Sequence, residues 1–451
     1  MKIRFVNHAC FIIESNKTKI ICDPWFDGNI FDDGWSLIHQ ELSVNDFDFD
    51  YVWVSHEHPD HFRPNMFCKE KIDTDKKIIL QHRPNDRKLY NWFKNKNYDV
   101  IEIPSEGSIV IGDTFTLKGD LNYDFDSWVM VECNGKTILN LNDCISFKER
   151  YDIEDIKNKV GNVDVLMNQF SFANWSGNKG DNYTPQKARE LIINNLDIIR
   201  DIINPKYVIP FASFCYFSHE ENFHLNKNSI TLRDGVYKPL LQHMPLSSSF
   251  KTPDSENVII MKPNDVWNID EEWLNNEKNI KFWENEINSL SDRELTKTIS
   301  HSFEDLKNTF DKMKQFLRNK NDLDLLDIQL NIEPSIIYLT DLDICVSYCI
   351  LSDINVVEYD IDNVDVKMSS ESLNNVMKNA WGFGTLMVNG RFEANYKKFD
   401  NFVNQTRLYY MNNIGKFFPK DVDIDDIVNS PSLVKKIVNL GENNERKILQ
   451  T

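Results

Sequence analysis

The chain has 451 residues, a length that predicts two or three domains, because single hydrophobic cores rarely grow so large. Its hydrophobic fraction of 41% and aromatic fraction of 12% are those of an ordinary soluble globular protein. The net charge of −19 argues against an electrostatic nucleic-acid binder and against docking on anionic lipid. We therefore expect a small-molecule substrate, with no nucleic-acid partner.

The N-terminus and the cysteines both favour a cytoplasmic protein. The start, Lys2 to Val6 followed by His8, is unlike a signal peptide, and no run approaches the roughly 18 apolar residues of a membrane-spanning helix. The eight cysteines include no Cys-x-x-Cys pair. The sequence therefore predicts buried free thiols rather than a zinc ribbon, a thioredoxin motif or a Rieske iron–sulfur site.

Short β-type runs dominate the first half of the chain. They lie at 11–13, 19–22, 52–54, 77–80, 101–103, 115–117, 128–132, 137–141, 164–167 and 207–210. Asn134-Gly135 predicts a hairpin turn between two of them. A helix is expected to begin near Thr184-Pro185, with Thr184 as N-cap and Pro185 at the first helical position. Strands with interposed helices predict a layered α/β protein.

The character of the sequence changes after residue 268. A charged stretch at about 271–318 predicts a linking pair of helices, followed by strands at 323–340 and 345–359. A helix is expected to start at Ser369, and a terminal helix to cover 404–411. The segment 381–392 is compatible with a closing element or with a hairpin around Asn389-Gly390. We predict two domains, 1–268 and 269–451, the second smaller and of α+β type.

The most informative segment is a His-x-His-x-Asp-His cluster directly after the β-prone run 51–54. It contains His56, His58, Asp60 and His61. Imidazole and carboxylate groups suit zinc, iron or manganese, and the end of a strand holds such ligands in a fixed position. The sequence therefore predicts a metal site here, with one or two divalent ions.

Other candidate site residues also follow predicted strands. Asp143 follows the run 137–141 and is the candidate bridging carboxylate, because a two-metal site needs a ligand from another strand. A further imidazole ligand is expected from His219 or His224, with His219 favoured. His8 is either a substrate-binding or proton-transferring group, or a structural histidine.

Two further segments have supporting roles in this prediction. Asp23, at the end of the first hairpin, is expected to orient a metal-binding histidine. The segment 170–178 follows a buried strand and forms either a substrate wall or a plain loop.

These residues resemble the metallo-β-lactamase superfamily and, within it, the catalytic region of the CMP-N-acetylneuraminate hydroxylases. The resemblance rests on 7–11, 23–25, 34–35, the His cluster, 136–144, 210–212 and 218–219. It implies an αββα sandwich in which His56, His58 and a later His hold one metal. Asp60, His61 and another His would hold the second metal, and Asp143 would bridge.

The sequence departs from this pattern in two ways. The later His falls at Asn122, a poor ligand, so that site would be weak, empty or completed by Asp124 or water. The hydroxylases also carry a Rieske domain, whose cysteine pattern this sequence lacks. An oxygenase built on this chain would therefore need electrons from a separate protein.

The leading functional hypothesis is a metal-dependent hydrolase acting on an ester, lactone or phosphodiester of a small anionic or sugar-nucleotide-like molecule. Metal lowers the pKa of bound water to about 7, which provides a hydroxide nucleophile, with Asp60 as ligand and proton acceptor. The alternative is a non-haem iron oxygenase resembling the hydroxylases. A degenerate binding protein is the third hypothesis, and a homodimer is compatible with each.

Overall fold

The computed structural model describes residues 1–15, 18–112, 114–121, 126–144, 150–172, 174–230, 232, 257–330, 332–428 and 434. The helices are α1 (Lys88–Asn95), α2 (Arg150–Val160), α3 (Tyr183–Ile203), α4 (Asn276–Asn288), α5 (Phe303–Lys320), α6 (Leu323–Gln329), α7 (Ser370–Lys378), α8 (Gly382–Asn389), α9 (Phe399–Asn413) and α10 (Ile424–Val428). The strands are β1 (Lys2–Asn7), β2 (Cys10–Ser15), β3 (Thr18–Cys22), β4 (Trp35–Leu37), β5 (Tyr51–Trp53), β6 (Lys77–Gln81), β7 (Asp99–Ile103), β8 (Ile109–Ile111), β9 (Phe115–Leu121), β10 (Ser127–Cys133), β11 (Lys136–Asn142), β12 (Val165–Gln169), β13 (Tyr207–Phe211), β14 (Cys215–Phe217), β15 (Val266–Asn268), β16 (Ser335–Leu339), β17 (Ile344–Tyr348), β18 (Ile354–Val357), β19 (Val366–Met368) and β20 (Phe392–Ala394).

Two sheets stack face to face in the first part of the chain. One has the strand order β15-β1-β2-β3-β5-β6-β7, and the other has the order β13-β12-β11-β10-β9-β8. Apolar side chains of both inner faces, such as Phe11 and Val131, share one buried cluster between the sheets. Such interdigitation of inward-facing residues is what holds stacked sheets together.

Helices cover the two outer faces. Phe93 of α1 packs on the outer side of the first sheet with Val52 and Ile78. Ile153 of α2 and Ile199 of α3 pack on the outer side of the second sheet. The layers therefore run helix, sheet, sheet, helix, which confirms the predicted αββα sandwich.

The later part of the chain forms a smaller α+β layer. Its sheet has the order β18-β17-β16-β19-β20 and packs with α5, α7 and α9 in a separate buried cluster. One residue of the earlier half, Trp175, joins that cluster and stacks on Phe392. This confirms the smaller α+β part, whereas the division at residue 268 stays a prediction.

The structure corrects four local predictions. The charged stretch holds two helices that enter different cores: Trp283 of α4 lies in the sandwich cluster, and Phe310 of α5 lies in the second. Residues 323–329 form α6 instead of a strand. The segment 381–392 contains α8, which Gly390 ends in a left-handed conformation. The helix α3 begins at Tyr183, before the predicted N-cap Thr184.

The predicted starts of other elements hold. Asn134 and Gly135 both have positive φ and close the hairpin of β10 and β11. The hydroxyl of Ser369 caps α7 by accepting from the backbone N–H of Ser372. Within the described residues, every helix is too short or too polar to cross a membrane.

Candidate metal centre

The chemistry-bearing residues lie where strands of the sandwich end. His8 follows β1, Asp23 follows β3, and the segment 54–61 follows β5. Asp143 follows β11 in the other sheet. The φ angles of His8 and Asp23 are 21° and 41°. The chain therefore leaves each strand in a backbone conformation that residues other than glycine rarely adopt. These strand ends bring residues of distant sequence position to one place.

The buried carboxylate of Asp23 organises the cluster from behind. Its Oδ1 accepts from the backbone N–H of Ser55 at 2.8 Å, and its Oδ2 accepts from the Ser55 hydroxyl at 2.9 Å. Oδ2 also lies 2.9 Å from Nδ1 of His61 and 3.1 Å from Nδ2 of Asn142. Burial raises the pKa of Asp23, while His61 and Ser55 act in the opposite direction. Asp23 thus contacts a cluster histidine, as predicted.

These contacts assign the tautomers of two histidines. Because the Asp23 carboxylate can only accept, Nδ1 of His61 carries a proton, which leaves Nε2 as the nitrogen that would bind a metal. Because the Ser55 hydroxyl donates to Asp23, it accepts from Nδ1 of His56 at 2.9 Å. Nε2 of His56 is therefore likewise left to bind a metal. Neutral imidazoles oriented in this way are the form that binds metals.

Three groups of possible ligands occur within the described part of the chain, each with ligand atoms within 4.8 Å of one another. They are His56, His58 and Asp126; His8, Asp60 and His61; and His56, His61 and Asp143. The third group joins the other two, because Oδ2 of Asp143 lies 3.9 Å from Nε2 of His56 and 3.3 Å from Nε2 of His61. This connectivity is what a bridging carboxylate between two metal ions requires.

The donor atoms of the first group converge. Nε2 of His56 lies 2.8 Å from Nδ1 of His58 and 3.6 Å from Oδ1 of Asp126. Two nitrogens this close can both reach one ion at the usual distance of about 2.1 Å.

The second group is more deeply buried. Oδ2 of Asp60 lies 3.0 Å from Nε2 of His61 and 3.4 Å from Nε2 of His8, and all three residues are buried. The edge of the His8 ring meets Trp25 at a centroid distance of 5.3 Å.

Buried polar atoms without hydrogen-bond partners test whether these residues fit a metal. Oδ1 of Asp60 and Oδ1 of Asp143 are buried and have no hydrogen-bond partner. Leaving several such groups unsatisfied costs free energy that a bound cation would recover. Three carboxylates and up to four imidazoles around one space form the N/O donor set of a divalent metal site. The residues fit the metal pair.

The pKa shifts in the cluster reflect the negative charge of its carboxylates. Although burial opposes it, the carboxylates of Asp60, Asp143 and Asp23 raise the pKa of His61 well above its usual range. Burial, with the nearby charge of Asp143, raises the pKa of Asp126 to about 6. Burial and neighbouring imidazoles lower the pKa of His56. A divalent cation would balance these carboxylates.

A cavity of about 180 Å³ opens onto the cluster. Its lining combines the polar side chains of the candidate ligands with amide, hydroxyl, aromatic and aliphatic groups. These are Phe31, Trp35, His58, Asp60, Asp126, Asp143, Gln169, Ser171, Asn174, Ile192, Asn195, Leu196 and Val388. Ser171 and Asn174 belong to the segment predicted as either a substrate wall or a loop, and they line the cavity.

The structure separates one predicted ligand from the cluster. His219 is buried with Nδ1 3.5 Å from Glu221 and Nε2 3.8 Å from Glu371, and it occurs in none of the three groups. Its backbone pairs with Thr296, and its ring lies beside the carboxylates of Glu221 and Glu371 rather than beside the cluster. His224 is likewise outside the three groups. The predictions on Asn122 and Asp124 lie outside the described residues.

Sequence reasoning missed three residues that the structure brings to the site. Asp126 precedes β10 by one position and joins His56 and His58. Ser55 and Asn142 each contact Asp23. A signal for Asp126 existed, because it is a carboxylate at the start of a buried strand next to the expected ligand position. Nothing in the spacing distinguished it from Asp124.

Comparison with known proteins supports an assignment for the N-terminal region. Residues 2–123 match the model of the beta-lactamase superfamily domain. A putative Rieske 2Fe-2S iron-sulfur protein of Mycolicibacterium smegmatis is 27% identical over 191 residues, which cover 39% of this chain and 35% of the relative. The cytidine monophosphate-N-acetylneuraminic acid hydroxylase of Danio rerio is 21% identical over 273 residues, covering 56% of this chain and 44% of the relative. The chain thus spans less than half the length of either relative.

Among the solved structures that this chain is similar to is a diiron beta-hydroxylase from Streptomyces venezuelae. It is 14% identical with a TM-score of 0.34, covering 47% of this chain and 44% of the other. A superposition this loose adds nothing to the assignment. The chain thus resembles the metallo-β-lactamase superfamily over residues 2–123, and it is similar to the cytidine monophosphate-N-acetylneuraminic acid hydroxylase of Danio rerio over 56% of its length.

Proposed function

We propose that this protein is a non-haem iron oxygenase with two adjacent metal positions. The observation that carries the proposal is the composition of the ligand groups. His56, His58 and Asp126 form one set of two imidazoles and one carboxylate, and His8, Asp60 and His61 form another. Two histidines and one carboxylate with open positions are typical of non-haem iron(II) oxygenases, and added carboxylates shift a site away from zinc.

The relatives support the same reaction class. The Danio rerio relative is by name a hydroxylase, and the Mycolicibacterium smegmatis relative is by name a Rieske protein. Hydroxylation of a C–H bond consumes one O₂, two electrons and two protons, and it yields one hydroxyl group and one water. Iron held by the two groups would supply the redox chemistry when bound. We propose that the electrons come from a separate donor protein.

The chain's own residues would orient the ions and handle protons. Asp143 would hold both ions, while Asp23 and Ser55 keep His61 and His56 in their ligand tautomers. Nε2 of His8 lies 3.4 Å from Asp60, within reach of a proton exchange after small movement. His58, Asp126 and Asp60 line the cavity, so substrate would reach both ligand groups through it.

The cavity lining supports a small substrate with both polar and apolar parts. Amide and hydroxyl groups of Gln169 and Ser171 can hydrogen-bond to polar atoms, whereas Ile192, Leu196 and Val388 can contact an apolar portion. An anionic group of the substrate would be placed at the metal ions, where the positive charge lies.

A metal-dependent hydrolase is the second candidate, and the position of Asp60 favours it specifically. Asp60 lines the cavity and contacts both His8 and His61, so it is placed to accept a proton from attacking water. Zinc or manganese would serve this reaction, with an ester, lactone or phosphodiester as the substrate.

Metal content and oxygen use separate the two candidates. The protein is purified without added metal under anaerobic conditions, and metals are counted by mass spectrometry. The variants are His58→Ala and, as a matched control, His39→Ala, whose ring lies 3.3 Å from Glu286 away from the cluster. We expect near-stoichiometric iron in the wild type and the control, lost in His58→Ala.

Turnover then identifies the reaction. We expect O₂ consumption that depends on an added reductant and on His58. Zinc or manganese, with anaerobic turnover of an ester or phosphodiester panel, would support the hydrolase instead. Failure of the wild type to bind metal after reconstitution would contradict both functions.

A further inference from the structure

The fully buried guanidinium of Arg391, in the later part of the chain, binds a segment that contributes Phe31 and Trp35 to the cavity lining. Arg391 is 1% exposed. Its Nε donates to Oε2 of Glu221 at 2.7 Å, and its Nη1 donates to the backbone oxygen of Asp32 at 2.7 Å and to its carboxylate at 3.2 Å. Its Nη2 donates to Glu371. One side chain thus fixes groups from three separate regions, using the planar fork that distinguishes arginine from lysine.

The segment that Arg391 binds has an unusual backbone conformation. Phe31, Asp32 and Asp33 have φ angles of 50°, 56° and 57°, three consecutive residues in the left-handed region. Such a conformation costs free energy at each residue and persists only where surrounding contacts enforce it.

Neighbours of Arg391 complete these contacts. Nδ2 of Asn389 donates to the backbone oxygen of Phe31 at 3.0 Å. Nδ2 of Asn222 donates to the backbone oxygens of Gly34 at 2.9 Å and of Asn389 at 2.8 Å. A Cβ on Gly34 would lie 2.4 Å from the Cβ of Asn389, so the two segments touch without room for a side chain.

The gripped segment faces the candidate metal ligands. The ring of Phe31 meets the ring of His58 edge to face at a centroid distance of 6.2 Å, and it meets Trp35 at 5.0 Å. Phe31 and Trp35 line the cavity together with Val388, which is three residues before Arg391. The later part of the chain therefore supplies one cavity residue itself and holds two others in place.

We propose that Arg391 is a positioning residue that holds Phe31 and Trp35 as the substrate-contacting wall over the metal centre. The proposal rests on the proposed function for the identity of the cavity as a substrate site. It assigns the later part of the chain a role in substrate placement, since Val388 and the wall held by Arg391 face the apolar portion of the substrate.

Hydrogen exchange of the complete, as-purified protein tests this role without knowledge of the substrate. Arg391→Met removes the hydrogen bonds, Arg391→Lys keeps the charge without the fork, and Arg407→Met is the control for loss of an arginine elsewhere in the same part. We expect exchange in a peptide covering 29–37 to rise about tenfold in Arg391→Met, less in Arg391→Lys, and not in Arg407→Met.

The metal serves as a second readout. Because the contacts of Arg391 are to Glu221, Asp32 and Glu371, none of which belongs to the three ligand groups, iron content is expected to stay at the wild-type level in the Arg391 variants. Unchanged exchange in 29–37, or a rise spread evenly over the chain, would overturn the proposal. Loss of iron in Arg391→Lys would also overturn it, since the residue would then support the ligands themselves. Absence of iron from the wild type would contradict the proposed function and leave the exchange result to decide the role of Arg391.

Gly34→Ala provides an independent variant, in case Arg391→Met does not fold. The added methyl group meets Asn389 without changing any charge, so it should loosen the same segment. We expect faster exchange in 29–37 with an unchanged iron content. Wild-type exchange in this variant would show that contact with the later part of the chain does not hold the wall.

Discussion

Asp23 and His61 are joined by a 2.9 Å contact between Oδ2 and Nδ1, which decides which ring nitrogen of His61 faces the metal positions. The same carboxylate binds Ser55, and Ser55 sets the tautomer of His56. A single buried acid thus orients one imidazole in each of the two ligand groups. Partners behind metal ligands act in this way in many metalloproteins.

Asp23→Asn is expected to weaken metal binding about 10- to 100-fold, because one amide oxygen must serve donors that two carboxylate oxygens share now. Metal titration of the apoprotein measures the change. Asp27→Asn is the control, since Asp27 lies nearby but pairs with the surface residue Lys71. Equal affinities for Asp23→Asn and the wild type would contradict the proposed role.

Asp126→Asn is expected to lower the metal content by about one ion per chain, because the first group loses its carboxylate while the second remains complete. Asp126→His should bind zinc better relative to iron than the wild type does, since imidazole is the softer donor. Competition between the two metals, followed by mass spectrometry, tests both outcomes. A wild-type metal content and preference in both variants would exclude Asp126 as a ligand.

His219→Asn is expected to keep the full metal content, in contrast to His58→Ala. The ring of His219 faces Glu221 and Glu371 and takes part in none of the three ligand groups. Metal analysis of the two variants side by side gives the comparison. Loss of an ion in His219→Asn would restore the sequence-based assignment of this residue.

His219 also makes stability depend on pH. Burial, assisted by Arg391, lowers the pKa of His219 to about 4, whereas an unfolded histidine has a pKa near 6.5. Below pH 6.5 the unfolded chain therefore binds a proton that the folded chain does not, so stability falls as the pH falls from 6.5 toward 4. The contribution lost by pH 5 is about 1–2 kcal/mol.

Urea unfolding at pH 7.5 and pH 5 measures this contribution. The loss of unfolding free energy between the two pH values should be smaller in His219→Asn than in the wild type by that amount. An equal loss in both proteins would mean that His219 is protonated in the folded state.

Core substitutions test how the chain divides into folding units. Trp283 of α4 stacks on Phe214 at 4.2 Å and donates to the backbone oxygen of Met261, so α4 packs in the sandwich core. Phe310 of α5 packs on Tyr348 in the other core. We propose that the division falls between these helices, near residue 300, rather than at 268.

Each substitution, Trp283→Ala or Phe310→Ala, is expected to cost about 3–5 kcal/mol in the unit that holds it. Limited proteolysis under mild denaturant shows which peptides are released first. Trp283→Ala should expose residues before 300, and Phe310→Ala should expose residues after it. Exposure of the later residues in Trp283→Ala would contradict this division.

The sandwich was predictable because its strands are marked by continuous local patterns. Runs such as 137–141 and the turn at Asn134-Gly135 depend on neighbouring residues alone, and the structure contains both. The hairpin predicted for the segment 381–392 was wrong for the opposite reason. Its Asn389-Gly390 pair suits a hairpin turn locally, but packing in the second core selects a helix that Gly390 ends.

In the candidate site, too, residues adjacent in sequence were predictable, whereas partners distant in sequence were not. Consecutive ligands within 56–61 were visible in the sequence because they are adjacent. Asp126 joins His56 and His58, and Arg391 contacts Asp32, although these partners lie far apart in the chain. The periodicity of a sequence carries no information on such distant pairs. His219 is the converse case, since its position after a buried strand predicts a ligand, but it occurs in none of the three ligand groups.

The end of β11 joins Asp143, the proposed bridging carboxylate, to the buried core. The pairing of β11 with β12 shifts register between Asn140 and Asn142, and Asn142 has a φ of 51°. Since side chains alternate faces along a strand, one inserted or deleted residue in β11 would turn Asp143 away and move Leu139 and Leu141 from the helix-covered face to the face between the sheets. Substitutions along β11 are therefore compatible with this fold. An insertion or deletion there would disturb the packing of the sheet and displace Asp143 together.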